Sequence, residues 1–181
     1  MRLTALLLLL CAGAACPAAG DRDIWLLVDT QDQVLKVMRG ERVLWRAEGI
    51  AIGRGGAAHG RRRGDARTPK GRYHVVRISR DTRYHLFLGL DYPNRVDAER
   101  AYRRGLIGEG DRKRILDALR HGRPPPQDTA LGGGIGIHGL GSADRGLHLL
   151  SNWTRGCVAL TNGQIDRLRH WVRIGTLVLI R

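Results

Sequence analysis

Thr154-Arg155-Gly156-Cys157-Val158-Ala159-Leu160-Thr161-Asn162, preceded by Ile137-His138-Gly139, holds the one cysteine that lies outside the apolar first segment of the chain. His138 stands nineteen residues before Cys157. A lone thiol with a histidine upstream is a candidate nucleophile with its base. A thiol of ordinary pKa is only a few per cent ionised at neutral pH, so it needs a base or a positive field beside it. His138 can supply either, and Arg155 adds charge next to the sulfur that can favour the thiolate or hold a substrate carboxylate. Gly156 leaves the approach to the thiol open, and a turn there can aim backbone N–H groups at a developing oxyanion. The pattern fits acyl transfer.

Other readings of these residues stand beside that one. A single cysteine can be a small buried hydrophobe, and a single histidine a hydrogen-bonded structural residue. A zinc site from His138, His148 and Cys157 would lack paired-ligand spacing, so no metal or cofactor is expected. His148, between Leu147 and Leu149, reads as a strand residue that either faces the site, as a substrate contact, or is structural. Asn162 either orients the loop after the nucleophile or helps Thr161 start a helix; the capping box of Thr161 with Gln164 favours the second.

The other two cysteines lie in a leader. Met1-Arg2 gives a short positive start, residues 6–10 are all leucine, and small residues run to Gly20, the pattern of an exported chain cleaved after residue 20. Lipidation of Cys16 is the alternative. Residues 1–20 are thus expected to be a signal peptide and 21–181 one catalytic domain, working in the periplasm or cell envelope, where Cys157 has no disulfide partner left. The formal charge of +14 loses one unit with Arg2 and is spread over several segments, which suits anionic wall polymers, phospholipid head groups or plain solubility. Aromatic residues make up 5% of the chain, and no basic-aromatic stacking pattern points to nucleic acid.

Working outward from the motif, short runs of Val, Ile and Leu separated by turn residues read as mostly β. Strands are expected over 24–28, 34–38, 43–52, 73–78, 86–90, 135–137 and 176–180. Residues 53–69, rich in Gly, Arg and His, read as an exposed loop ended by the Thr68-Pro69-Lys70-Gly71 turn, with Asp65 a turn residue. Residues 97–104 and 111–121 have Asp early and basic residues late, as helices do. Residues 123–128, with three consecutive prolines, form a stiff connector. Ile165, Leu168 and Val172 share the face of a last helix.

The histidine-glycine pair followed by a Thr-Arg-Gly-Cys turn resembles the catalytic motif of the L,D-transpeptidase family, the YkuD-type domain. Val28-Asp29, Gly53, the loop ending in Thr68-Pro69-Lys70-Gly71, and Tyr73 are similar to that family's amino-terminal part, so the likeness covers nearly all of the mature chain. Tyr92-Pro93-Asn94 with Asp97, and Trp153, look closest to the branch that includes the enzyme releasing a Braun-type lipoprotein from peptidoglycan. The resemblance implies a mainly β, sandwich- or barrel-like catalytic domain with a few short peripheral helices, acting on peptidoglycan stem peptides and, in that branch, on peptidoglycan-linked lipoprotein. Cys157 would attack at the L centre of the third stem residue, His138 would serve as base and then acid, and N–H groups around Gly156 and Cys157 would hold the oxyanion. Gly139 would leave space beside the imidazole. Many members carry Arg where this chain has Ala159 and His where it has Arg155. Arg155 or an arginine of residues 61–67 would then hold the substrate carboxylate, and the altered flank favours the hydrolytic branch. A non-catalytic wall-binding domain is the competing reading.

Overall fold

The computed structural model describes residues 23–80 and 83–181. The expected leader, its cleavage after Gly20 and the lipidation of Cys16 lie outside them.

Alternation builds the sheet. In β2 (Val34–Arg39) Leu35 and Val37 are buried while Val34 and Lys36 are half-buried, and in β10 (Leu177–Ile180) Val178 and Ile180 point inward. β6 (Gly71–Ser79) likewise buries Tyr73 and Val75 and exposes His74 and Val76. Each aliphatic side chain taken out of water contributes about 1.5–3 kcal/mol. With β1 (Ile24–Asp29), β3 (Arg42–Glu48), β7 (Phe87–Leu90), β8 (Gly136–His138) and β9 (Val158–Ala159), these strands form one sheet ordered β3-β2-β1-β10-β6-β7-β8-β9. The pairs β1–β10 and β8–β9 are parallel, and the others are antiparallel. β6 joins the halves of the sheet. Its residues 71–74 pair with β10 and its residues 75–79 with β7, the handover being marked by a register shift between Val75 and Arg77.

The expected strand 43–52 is broken. β3 stops at Glu48 and Gly49 takes φ +66, a left-handed conformation natural to glycine, which turns Ile50 to Ile52 away from the ladder. Ala51 then exchanges hydrogen bonds of 3.0 and 2.7 Å with Ala159, so the chain leaving one edge strand lands on the strand at the other edge. The sheet curls, which gives the sandwich-like, mainly β fold its closed character.

Residues 53–69 also differ from the exposed loop expected of their composition. Ala57–Ala58 (β4) pairs in parallel with Thr68–Pro69 (β5), Thr68 accepts from the Gly53 N–H at 2.8 Å, and Arg61 and Ala66 are buried. Asp65 is the turn residue expected, accepting from the N–H groups of Arg62 and Arg67.

Helices sit at the periphery. Asn94 and Asp97 form a capping box on α1 (Arg95–Arg103), whose Ala98 and Ala101 join the core with Ile107 and with Ile115 of α2 (Glu109–Arg120). Asp97 is buried, 3.4 Å from the Tyr73 hydroxyl, and desolvation raises its carboxyl to about 6 against the helix-cap hydrogen bond and Arg100. α3 (Arg145–Leu150) is capped by Asp144. α4 (Asn162–Arg169) begins on the Thr161–Gln164 capping box read from sequence and buries Ile165 and Leu168; Val172, expected on the same helical face, is buried just beyond its end.

Candidate active site

Strand register brings the two motif residues together. β8 and β9 run parallel with Ile137 opposite Val158 and His138 opposite Ala159. Extending that register by one residue sets Cys157 beside Gly136, and side chains alternate along a strand, so Cys157, Ala159 and His138 share one face. Both Cys157 and His138 line a cavity of about 690 Å³ with Tyr84, Trp153, Arg54 and Arg155.

His138 is held from all sides. Its Nδ1 lies 2.7 Å from the Gly139 carbonyl, and since a carbonyl can only accept, Nδ1 bears the proton and Nε2 is the basic nitrogen. Its ring packs on Tyr84 at 4.2 Å, on Phe87 at 6.2 Å and against the edge of Trp153 at 6.1 Å. Burial lowers its pKa, opposed by the Gly139 carbonyl and helped by His148 and Arg83, so the imidazole is neutral at pH 7. Gly139 gives its space to packing instead of leaving it open: a Cβ there would come within 2.9 Å of Ile165 Cγ2 and of the Tyr84 carbonyl.

The thiol is also neutral at rest. Cys157 Sγ donates to the Gly134 carbonyl at 3.3 Å. Solvent reaches part of the residue, yet the walls around the sulfur dominate: burial pushes the thiol up to about 11, against the Gly136 N–H and the charge of Arg61. The cation that favours the thiolate is therefore Arg61, with Arg155 exposed at the cavity mouth.

The turn before the thiol is locked by Thr154. Its hydroxyl accepts from the Gly156 N–H at 3.1 Å and donates to the Cys157 carbonyl at 2.7 Å. That commits the Gly156 N–H to the turn, a change from its expected oxyanion role. Gly156 itself is required by φ +127 and by close packing, a Cβ there lying 2.7 Å from the Arg67 carbonyl.

Two further expectations change. His148 lies on α3, not a strand; it is buried, its Nδ1 accepts from the Trp153 indole N–H at 3.4 Å, and it lines a separate small cavity with Gly49 and Asn152. Burial lowers its pKa too. Asn162 follows the N-cap, but its amide accepts from the Gly141 N–H at 2.9 Å and donates to the Gly141 carbonyl at 3.0 Å, clamping the loop after His138. Sequence reasoning left Tyr84 and Arg54 unnamed as wall residues and placed Arg61 in an exposed loop, while Gly133 and Gly134, read from sequence as leading into a strand whose glycines let a ligand come close, do line the cavity. Among the described residues no cluster of His, Cys, Asp and Glu is arranged to hold a metal.

Comparison with known proteins agrees with this picture. The family model for the L,D-transpeptidase catalytic domain, YkuD, matches residues 23–180. No curated protein matches the chain. Among solved structures, the helical cell shape determining protein Pgp2 of Campylobacter jejuni superposes with a TM-score of 0.59 at 22% identity over 90% of this chain and 48% of that one. Bd1075 of Bdellovibrio bacteriovorus gives 0.56 at 21% over 88% and 48%. The catalytic domain of an Enterococcus faecium L,D-transpeptidase gives 0.50 at 14% over 88% and 98%. The chain spans about half the length of the first two. These likenesses show the shared fold, and the match over 23–180 shows the kinship: the chain belongs to the L,D-transpeptidase catalytic domain (YkuD) family, whose activity is enzymatic.

Proposed function

We propose that the chain is a cysteine acyltransferase acting on peptidoglycan stem peptides. The observation that supports this most directly is the β8–β9 register, which sets Cys157 and His138 on one face and in one cavity, with Nδ1 of the histidine occupied and Nε2 left basic. Both groups are neutral at rest, so the sulfur attacks as its proton passes to Nε2, without a preformed ion pair. Attack falls on the carbonyl at the L centre of the third stem residue. The C–N bond to the terminal D-alanine breaks, and His138 returns the proton to the departing amine. The oxyanion is received by the Cys157 N–H, which belongs to the turn that Thr154 fixes. The thioester is then taken by an acceptor amine, regenerating the thiol.

Hydrolysis of the same thioester is the second reading. It is favoured by the altered flank of the nucleophile: Ala159, buried directly across from His138, stands where the family resemblance places an arginine. Release of a peptidoglycan-linked lipoprotein would be one such outcome. The apolar first segment supports action in the cell envelope. The cell-shape role by which the Campylobacter neighbour is described fits wall remodelling.

Incubating the protein with muropeptides and with lipoprotein-linked fragments, followed by mass spectrometry, tests this. Tripeptide-bridged dimers indicate transpeptidation, and tripeptides or freed lipoprotein indicate hydrolysis. Products that form equally with Cys157→Ala would remove the proposal.

A further inference from the structure

Helix α4 reaches the site at two points. Asn162, at its start, clamps Gly141 in the loop after His138. Asp166, four residues on and so on the same side of the helix, accepts from the His85 Nε2–H at 2.9 Å. His85 stands between Tyr84, whose ring lies on His138, and Leu86, which leads into β7. The helix is a firm anchor. Its Thr161–Gln164 capping box closes the first turn, and the fully buried Ile165 and Leu168 set it into the core.

The backbone at His85 is strained. Its φ is +68, and the Leu86 N–H closes on the Tyr84 carbonyl at 2.8 Å, a three-residue turn in the left-handed form that a side chain disfavours. Such a turn persists only where its surroundings hold it. Three contacts do so. The Leu86 carbonyl accepts from the Gly139 N–H at 3.1 Å, the Tyr84 ring packs on the His138 imidazole at 4.2 Å, and Asp166 grips the His85 ring. The turn also presses on the loop after His138. A Cβ on Gly139 would lie 2.9 Å from the Tyr84 carbonyl and 2.8 Å from Asn162 Oδ1, and one on Gly141 would collide with the Arg83 carbonyl. Arg83, Tyr84 and Leu140 all line the catalytic cavity. Two loops of its wall are therefore wedged together, and both are tied to α4.

We propose that His85 and Asp166 are positioning residues for the acyl transfer: their pair, drawn to α4, holds the turn that presses Tyr84 onto the His138 ring. As an exposed ion pair it would contribute little to stability, since the two side chains are 39% and 45% exposed. Its role is geometric. Phe87 stands on β7 and cannot withdraw from the imidazole, whereas Tyr84 hangs from the turn. Releasing the turn frees the imidazole to tilt away from Cys157 and admits water to it. Burial first, and then the charges of His148 and Arg83, hold His138 below its ordinary pKa, against the Gly139 carbonyl. A loosened turn carries off both the Tyr84 cover and the neighbouring Arg83, and each loss raises that pKa. The inference rests on the acyl-transfer reading and adds to it what orients the base.

The test uses the full chain with Asp166→Ala, His85→Ala, the two combined, and Asp166→Asn. Asp117→Ala, which breaks the exposed pair with Arg120, is the control. Turnover of a tetrapeptide stem is followed by thioester mass and product release. Asp166→Ala and His85→Ala should each lower kcat about tenfold, with KM within about twofold of the parent. The combined variant should be no slower than either alone. Asp166→Asn, whose amide oxygen still accepts from Nε2–H, should regain most of the loss, and Asp117→Ala should match the parent. Titrated by NMR without substrate, the His138 ring should move its midpoint up toward the usual 6.5 in Asp166→Ala and keep it in Asp117→Ala. An imidazole midpoint that stays in place overturns the proposal. So do losses that add in the combined variant, or a loss that falls on KM alone. The NMR readout needs no chemistry, so the two ideas fail separately. A parent that forms no thioester sinks the acyl-transfer reading, while an unmoved imidazole in an active parent sinks the positioning pair alone.

Discussion

His138 Nδ1 donates to the carbonyl of Gly139, its own chain neighbour, at 2.7 Å. A bond so local fixes the tautomer without help from any distant carboxylate, and it survives any rearrangement that keeps the two residues together. Replacing His138 by Gln removes the proton acceptor while preserving size. His138→Gln should therefore lower kcat/KM by about 10²–10⁴, and Cys157→Ala should abolish the thioester seen by mass spectrometry. Both variants should keep the parent circular dichroism spectrum; loss of fold in either would show that the pair is structural.

The pH profile tells a neutral pair from an ion pair. With the thiol pushed up to about 11, alkylation by iodoacetamide should be slow at pH 7 and rise nearly tenfold per pH unit up to about pH 10. Turnover instead needs neutral His138, whose pKa lies below the usual 6.5. kcat/KM should climb as pH rises through that lower value and be level by pH 7. A bell with its alkaline limb beginning near pH 8 would mean that a thiolate and imidazolium are already formed, against the resting state described above.

Thr154→Val keeps shape and removes both hydrogen bonds that lock the motif turn. Leaving a buried N–H and a carbonyl unmet should cost about 2–4 kcal/mol in urea unfolding. The shifted thiol should lower kcat roughly tenfold or more. Thr154→Ser, which keeps the hydroxyl, should restore most of both.

The motif and the ladders around it were legible because local rules and global fold agree there. Period-two burial in β2, β6 and β10 and the Thr161 capping box need no knowledge of distant residues. Arg61 was not legible. A polar, glycine-rich stretch reads as solvated, and its burial is imposed by Thr68 gripping Gly53 and by the Tyr92 ring beneath the guanidinium. The break at Gly49 was hidden for a related reason: Ile50 to Ile52 are as apolar as a continuing strand, and only Ala159, far along the chain, supplies their partner. Leu-His-Leu around His148 alternates like a strand, but the Asp144 cap and the outward Leu147, Leu149 and Leu150 belong to a short surface helix.

Asp97 offers a stability test with a defined sign. Its carboxyl is raised from 3.8 to about 6 in the folded chain, so between those values the native state holds more protons than the unfolded one. Its contribution grows as pH falls through 6 and is lost as pH rises through it. The stability of the parent relative to Asp97→Asn should thus improve by about 1 kcal/mol between pH 7.5 and pH 5. The measurement is urea unfolding of both at the two pH values. A difference that stays constant would mean that Asp97 keeps an ordinary carboxyl.

β10 lies between β1 and β6 at the middle of the sheet, although it is the last strand in the chain. Zipping that middle joins residues about 150 positions apart, such as Trp25 and Leu177, so the entropy of closing a very long loop is met before the central ladder repays it. During vectorial synthesis the meander β1–β3 can form early, but the half that holds the thiol cannot dock until residues 177–180 have emerged. Clipping those four residues would leave two exposed strand edges facing each other, and a shortened product should precipitate sooner than it misfires.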